Sequence, residues 1–203
     1  MEHKYFEKEL PLNYKEVKHI DATNAKFGLI FNLIALAVLA VVMAIAFLIL
    51  HLDNVKVVFD ILDNFGVFAI TMLVLVVYIV LHELVHGIAY KALTKEKLTF
   101  GLSWSCAFCG VPNLYVYKKA SLIALLAPFI TFTVIFIPLM IVLYFINPLY
   151  FLASAFVFGM HLGGCSGDLY VTFLLTIKYK GKNVLVKDTG PAQSFYLPEE
   201  ETK

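Results

Sequence analysis

His82-Glu83-Leu84-Val85-His86 sets two imidazoles four residues apart, with a carboxylate beside the first. On a helix this spacing puts both rings on one face, one turn from each other. Two neutral imidazoles and a third ligand can hold Zn²⁺ and leave one coordination position for water. A neighbouring carboxylate can take the proton that such a water gives up. The chemistry predicted is metal-assisted hydrolysis, with His82 and His86 as ligands and Glu83 as general base.

The setting sharpens that reading. From Gly66 to Tyr90 the only residue of type Asp, Glu, Lys or Arg is Glu83. Ionisable groups within so apolar a stretch are expensive and usually functional. The third ligand should be a carboxylate or imidazole from elsewhere in the fold. Asp168, in His161-Leu162-Gly163-Gly164-Cys165-Ser166-Gly167-Asp168, is the sole acid between Glu96 and Asp188. A metal would neutralise it; pairing with a lysine or capping an unwound helix are the other readings. His161 lies two helical turns before Asp168 and is read as a group of the second shell or substrate pocket, or a packed polar residue. Gly164 and Gly167 join it as candidate pocket residues, able to permit a locally unwound or closely packed helix. Cys106 and Cys109 form a lone C-x-x-C with no second pair, so two neighbouring hairpin cysteines are the plain reading.

These residues need long apolar elements to carry them. The chain is 61% hydrophobic and only 15% charged, against about 25% charged in soluble domains. Its mean hydropathy is +0.83. Spans are predicted at 27–50, 66–90, 120–146 and 149–177, each long enough for the roughly 20 apolar residues a bilayer needs. Pro128 and Pro138 predict kinks in the third, or a late start. Asn147-Pro148 predicts a tight turn before the fourth. Residues 51–65 form a short acidic loop with Asp53, Asp60 and Asp63. Between the second and third spans, apolar and polar residues partly alternate and Gly110, Pro112 and Asn113 signal turns, which predicts a β-hairpin.

The expected fold is therefore an all-α multi-pass membrane protein with about four transmembrane helices and a small β-hairpin insert between the second and third. Residues 1–26 read as a cytoplasmic N-terminal segment, 27–177 as the membrane-embedded domain, and 178–203 as a loosely ordered cytoplasmic tail. The first 26 residues mix five Lys with five acids, unlike a signal peptide's basic start, so the first span reads as retained. All sixteen basic residues are Lys, which removes the Arg forks favoured in phosphate readout and argues against nucleic acid. Fifteen of them fall in the N-terminal segment, the 91–119 segment and the tail, and one in the 51–65 loop. This positive-inside bias places both termini and the hairpin in the cytoplasm. The motif and Asp168 then lie roughly 9 and 13 Å from the cytoplasmic ends of their spans.

At these residues the chain resembles the site-2 protease group of intramembrane zinc metalloproteases. More closely it resembles the short bacterial membrane proteins described as putative zincin peptidases. The carriers are His82-Glu83-Leu84-Val85-His86 and the later Gly164-x-x-Gly167-Asp168-Leu169, with a hairpin-like insert between, over roughly residues 66–177. The resemblance implies a bacterial cell-membrane enzyme with one Zn²⁺ per chain, held by His82, His86 and Asp168 a few turns in from the cytoplasmic face. Site-2 proteases show Asp followed by Gly in the second motif; here Gly167 precedes Asp168 and Leu169 follows it.

The function expected is intramembrane hydrolysis of peptide bonds in membrane-associated substrates, with the lipid bilayer as the other partner. A substrate helix buries its peptide bonds and must unwind first. The unwound segment could pair with the hairpin by edge addition. The alternative is a catalytically silent membrane adaptor, or a metal-binding or transport protein. Glu83 argues against it, because a site that only binds needs no base.

Overall fold

The computed structural model describes residues 5–50, 64–103 and 107–202. The acidic loop with Asp53, Asp60 and Asp63, and Cys106, lie outside the described residues. The described chain runs β1 (Phe6–Glu7), β2 (Tyr14–Asp21), α1 (Ala25–Ile49), α2 (Phe65–Thr94), β3 (Thr99–Leu102), β4 (Ala107–Gly110), β5 (Tyr115–Tyr117) and α3 (Lys118–Ile146). It continues with α4 (Pro148–Gly164), α5 (Ser166–Phe173), a π-helical turn at Leu174–Lys178, β6 (Leu185–Asp188), β7 (Ala192–Pro198) and a 3₁₀ turn at Glu199–Glu201.

Among the described residues, four helical stretches are long and apolar enough to cross a membrane: Ala25–Ile49, Phe65–Thr94, Lys118–Ile146 and Pro148–Lys178. Their open faces carry large apolar side chains such as Leu36, Val80, Val134 and Phe145, which suits a lipid environment better than water. Asn147 and Pro148 are the N-cap and first residue of α4. The Asn147 side chain accepts from the Leu149 N–H at 2.7 Å, so the turn signal is also a helix start. The fourth span is interrupted at Cys165, whose ψ of −1° leaves the helical path. The break falls in the glycine-rich stretch ahead of Asp168.

α3 passes through Pro128 and Pro138 as one helix, and neither proline begins it. Each lacks an N–H, so the carbonyl four residues earlier has no helical partner. Ala124 carries one of these carbonyls.

The β structure corrects the all-α expectation. A two-stranded hairpin, β3 with β4, does lie between α2 and α3. The larger sheet is no insert: it has five strands in the order β1-β5-β6-β7-β2, each neighbouring pair antiparallel. It draws on the N-terminal segment, the stretch after the hairpin, and the tail. Residues 185–198, expected to be loosely ordered, form two of its strands. Burial explains the order: Val184, Leu185, Val186, Phe195 and Leu197 are at most 2% exposed. Each such side chain withdraws enough apolar surface to stabilise the fold by about 1.5–3 kcal/mol.

Contacts divide the chain into two compact units. The first joins Met1–Leu29, Leu81–Pro128 and Gly167–Lys203. In it, Val171 of α5, with Leu174 and Leu175 of the π turn, packs with Leu125 of α3 on Ile20, Val186, Phe195 and Leu197 of the sheet. Tyr90 of α2 packs with Val111, Leu114, Val116, Ala120 and Ala124 in a second cluster. These two clusters seat α2 and α5.

The second unit comprises Ile30–Val80 and Phe129–Ser166. Its core holds Ala46 of α1 with Phe151, Leu152 and Ala155 of α4. Gly159 and Gly163 of α4 lie against α1. A Cβ on Gly159 would stand 2.7 Å from Leu39, and one on Gly163 2.8 Å from the Ala35 backbone. Small residues four apart let two helices approach closely.

Candidate metal centre

Four of the polar residues of α2 recur at a fixed interval. Tyr78, His82, His86 and Tyr90 follow one another by four, so they form a single stripe. His82 and His86 are both 7% exposed. Their rings stand edge to face, centroids 4.9 Å apart. Asp168 lies in the first turn of α5, where the helix amides favour a negative charge.

In the first unit the structure brings His82, His86 and Asp168 together. The Nε2 of His82 is 3.4 Å from Asp168 Oδ2, and the Nε2 of His86 is 3.3 Å from the same oxygen. Donors bound tetrahedrally at about 2.0–2.1 Å from zinc stand about 3.3–3.4 Å from one another. The three ligand atoms all lie within 4.8 Å of each other. Two imidazoles and one carboxylate of this spacing suit zinc with a position left open. Among the described residues, the cationic side chains within ion-pair distance of Asp168 are these two histidines and no lysine.

The tautomer of His86 follows from its surroundings. Its Nδ1 donates to the Ala124 carbonyl oxygen at 2.8 Å, which leaves Nε2 as the lone-pair nitrogen facing Asp168. Glu83 is half-buried. The β3–β4 hairpin packs against the same helix one turn on. Gly87 makes room for the same hairpin: a Cβ there would stand 2.6 Å from the Phe100 ring of β3.

The remaining sequence candidates fall as follows. Gly164 and Gly167 have nothing within 4 Å of where a Cβ would be, so the backbone before Asp168 borders open space. His161 belongs to the second unit and is fully buried. There its Nδ1 is 2.9 Å from the Tyr78 hydroxyl and its Nε2 3.1 Å from the Thr133 hydroxyl. Phe129, Phe132, Phe136 and Phe158 surround its ring. Burial pushes the Cys109 thiol up to about 12, which makes it inert near neutral pH.

Three groups escaped sequence reasoning. Tyr90, one turn past His86, donates its hydroxyl proton to Asp188 Oδ2 at 2.7 Å; its place on the histidine stripe was the available signal. Asp188 is 3% exposed, but its polar neighbours hid it in the tail. The Ala124 carbonyl could have been found from Pro128, four residues on.

A family model described as putative zincin peptidase matches residues 75–182, a stretch that includes His82, Glu83, His86 and Asp168. No curated protein and no solved structure matches the chain. The family match spans more than half of the sequence, and the chain belongs to the putative zincin peptidases, a zinc metallopeptidase family.

Proposed function

We propose that the chain is an intramembrane zinc metalloprotease that cuts peptide bonds of membrane-associated substrates near the cytoplasmic side of the bilayer. The observation that carries the reading is the approach of His82 Nε2 and His86 Nε2 to one Asp168 oxygen, at 3.4 and 3.3 Å, on helices long and apolar enough to span a membrane. The lysine distribution supports cytoplasmic termini and a cytoplasmic hairpin.

In this proposal His82, His86 and Asp168 hold the ion. Bound zinc supplies Lewis acidity, which makes water a nucleophile near neutral pH and polarises a carbonyl. Glu83 takes the proton released as the C–O bond forms, and returns it to the amine nitrogen as the C–N bond breaks. The Ala124 carbonyl keeps His86 in the tautomer that presents Nε2. An unwound substrate segment adds to an edge of the β3–β4 hairpin, which packs on the helix of the motif at Gly87. The open space beside Gly164 and Gly167 favours access for water and for an extended backbone.

The test is purified wild type against Glu83→Gln, reconstituted in liposomes with single-span substrates, with zinc measured in both. Cleavage by wild type alone, at equal zinc content, is expected. Undiminished proteolysis by the Gln variant would refute the assignment of Glu83 as base.

A further inference from the structure

Two of the apolar helical stretches have a lysine at one end. Lys118 is the first residue of α3, and Lys178 closes the fourth stretch. Both ends belong to the first unit, and hydrogen bonds join them. The Lys118 N–H donates to the Val184 carbonyl at 3.2 Å, and its Nζ donates to the Tyr179 carbonyl at 2.9 Å. The Nζ of Lys178 stands over the ring of that same tyrosine, 5.5 Å from its centroid. Two ammonium groups thus meet one residue. Lys119, Lys178 and Lys180 are exposed. Among the described residues, neither they nor Lys118 pair with a carboxylate. The acids of the adjoining tail are engaged elsewhere. Glu201 accepts from the Asn183 N–H at 2.9 Å and from its side chain at 3.0 Å, and Glu199 pairs with Lys15 at 3.0 Å.

Next to these lysines the surface turns apolar. Phe173 and Ile177, in the last turns before Lys178, are 54% and 61% exposed. Lysines at the end of a membrane span lay their stems along apolar surface and put the charge among the headgroups. Four positive charges without carboxylate partners, beside an apolar step, fit a molecule with phosphate at one end and hydrocarbon at the other.

We propose that the joined ends of α3 and the fourth span bind an anionic phospholipid of the cytoplasmic leaflet, its phosphate held by Lys118, Lys119, Lys178 and Lys180 and its acyl chains lying along Phe173 and Ile177. Basic pockets between transmembrane helices on the cytoplasmic side take such headgroups. The proposal rests on the reading of these helices as membrane spans, and it is independent of whether the site cuts peptides. A lipid held this way ties two spans together, so it should raise the melting temperature.

The test uses the full-length protein in a neutral detergent, titrated with phosphatidylglycerol, phosphatidylcholine or inorganic phosphate. Retained lipid is counted by native mass spectrometry, and melting is followed in parallel. One variant combines Lys119→Gln, Lys178→Gln and Lys180→Gln. A control combines Lys26→Gln, Lys95→Gln and Lys97→Gln, which removes the same charge elsewhere. A lysine near a membrane surface is worth about fivefold in binding, so the first variant should lose on the order of a hundredfold in phosphatidylglycerol affinity and the control less than about fivefold. The three single variants, each about fivefold weaker, carry the test if the triple variant does not fold. Wild type should prefer phosphatidylglycerol to phosphatidylcholine and melt higher with it, and inorganic phosphate should not compete.

Equal binding of the two lipids by wild type would overturn the proposal. So would equal losses in the two triple variants, which mark an effect of net charge. Displacement of the lipid by an equal concentration of inorganic phosphate would identify a free-phosphate site and overturn the lipid assignment. Wild type that fails to float with phosphatidylcholine liposomes would sink the membrane reading and this proposal together; wild type that floats without preferring phosphatidylglycerol would sink the proposal alone.

Discussion

The Nδ1 of His86 meets the carbonyl oxygen of Ala124 at 2.8 Å, and Pro128 is why that oxygen is available. In an unbroken helix the N–H of residue 128 would bond to the carbonyl of residue 124. Proline has no N–H, so the oxygen accepts from the imidazole instead. Giving the helix its missing donor should therefore harm the metal site. Pro128→Ala should weaken zinc binding by about tenfold, measured by chelator competition. Its melting temperature should hold or rise, because proline within a helix is about 3 kcal/mol worse than alanine. Unaltered zinc affinity would show that His86 needs no help from Ala124.

The same proline shows what the sequence hides. Pro128 and Pro138 suggested kinks, yet α3 stays in one piece. The consequence is chemical, a freed carbonyl, and its acceptor role depends on a partner 38 residues away. The spans were legible because membrane helices announce themselves by long apolar runs. His82, Glu83 and His86 were legible because a four-residue helical spacing is local, and Asp168 because it stands alone among apolar residues. The five-stranded sheet was not. Its β2 and β7 register pairs Tyr14 with Pro198 and Asp21 with Ala192, across nearly the whole chain, with a bulge between Glu16 and Lys18 that breaks the period of two. Charged residues along β2, and Gln193 and Ser194 in β7, concealed Ile20, Phe195 and Leu197, whose burial holds the sheet under α5.

Asp188 should leave a mark on stability against pH. Burial raises its carboxyl from 3.8 to about 6, against the opposing effect of the Tyr90 and Gly190 hydrogen bonds. A raised pKa means the folded state holds the proton more tightly than the unfolded state. The stabilising contribution is thus complete below about pH 4 and lost as pH rises through about 6. Relative to Asp188→Asn, the wild-type unfolding free energy should fall by about 2 kcal/mol between pH 4 and pH 7, measured by denaturant unfolding in one detergent. Parallel curves for the two proteins would contradict the shift.

Two glycines should respond differently to alanine. At Gly163 the new methyl meets the Ala35 backbone at 2.8 Å, so α1 and α4 must separate. At Gly87 it meets the tip of the Phe100 ring at 2.6 Å, and that half-exposed ring can turn aside. Gly163→Ala should cost about 1–3 kcal/mol and Gly87→Ala less than about 1 kcal/mol, read from thermal unfolding. The reverse order would mean that the hairpin is packed more rigidly than the α1–α4 contact.

In the proposed site His82, His86 and Asp168 hold one zinc ion beside Glu83. Zinc-edge X-ray absorption on the purified wild-type protein tests it most directly. One zinc per chain is expected, with two imidazole nitrogens and oxygen donors at about 2.0–2.2 Å and no sulfur shell. Asp168→Ala should lose an oxygen donor and bind zinc more weakly. A sulfur shell at about 2.3 Å, or an Asp168→Ala spectrum and affinity identical to wild type, would contradict it.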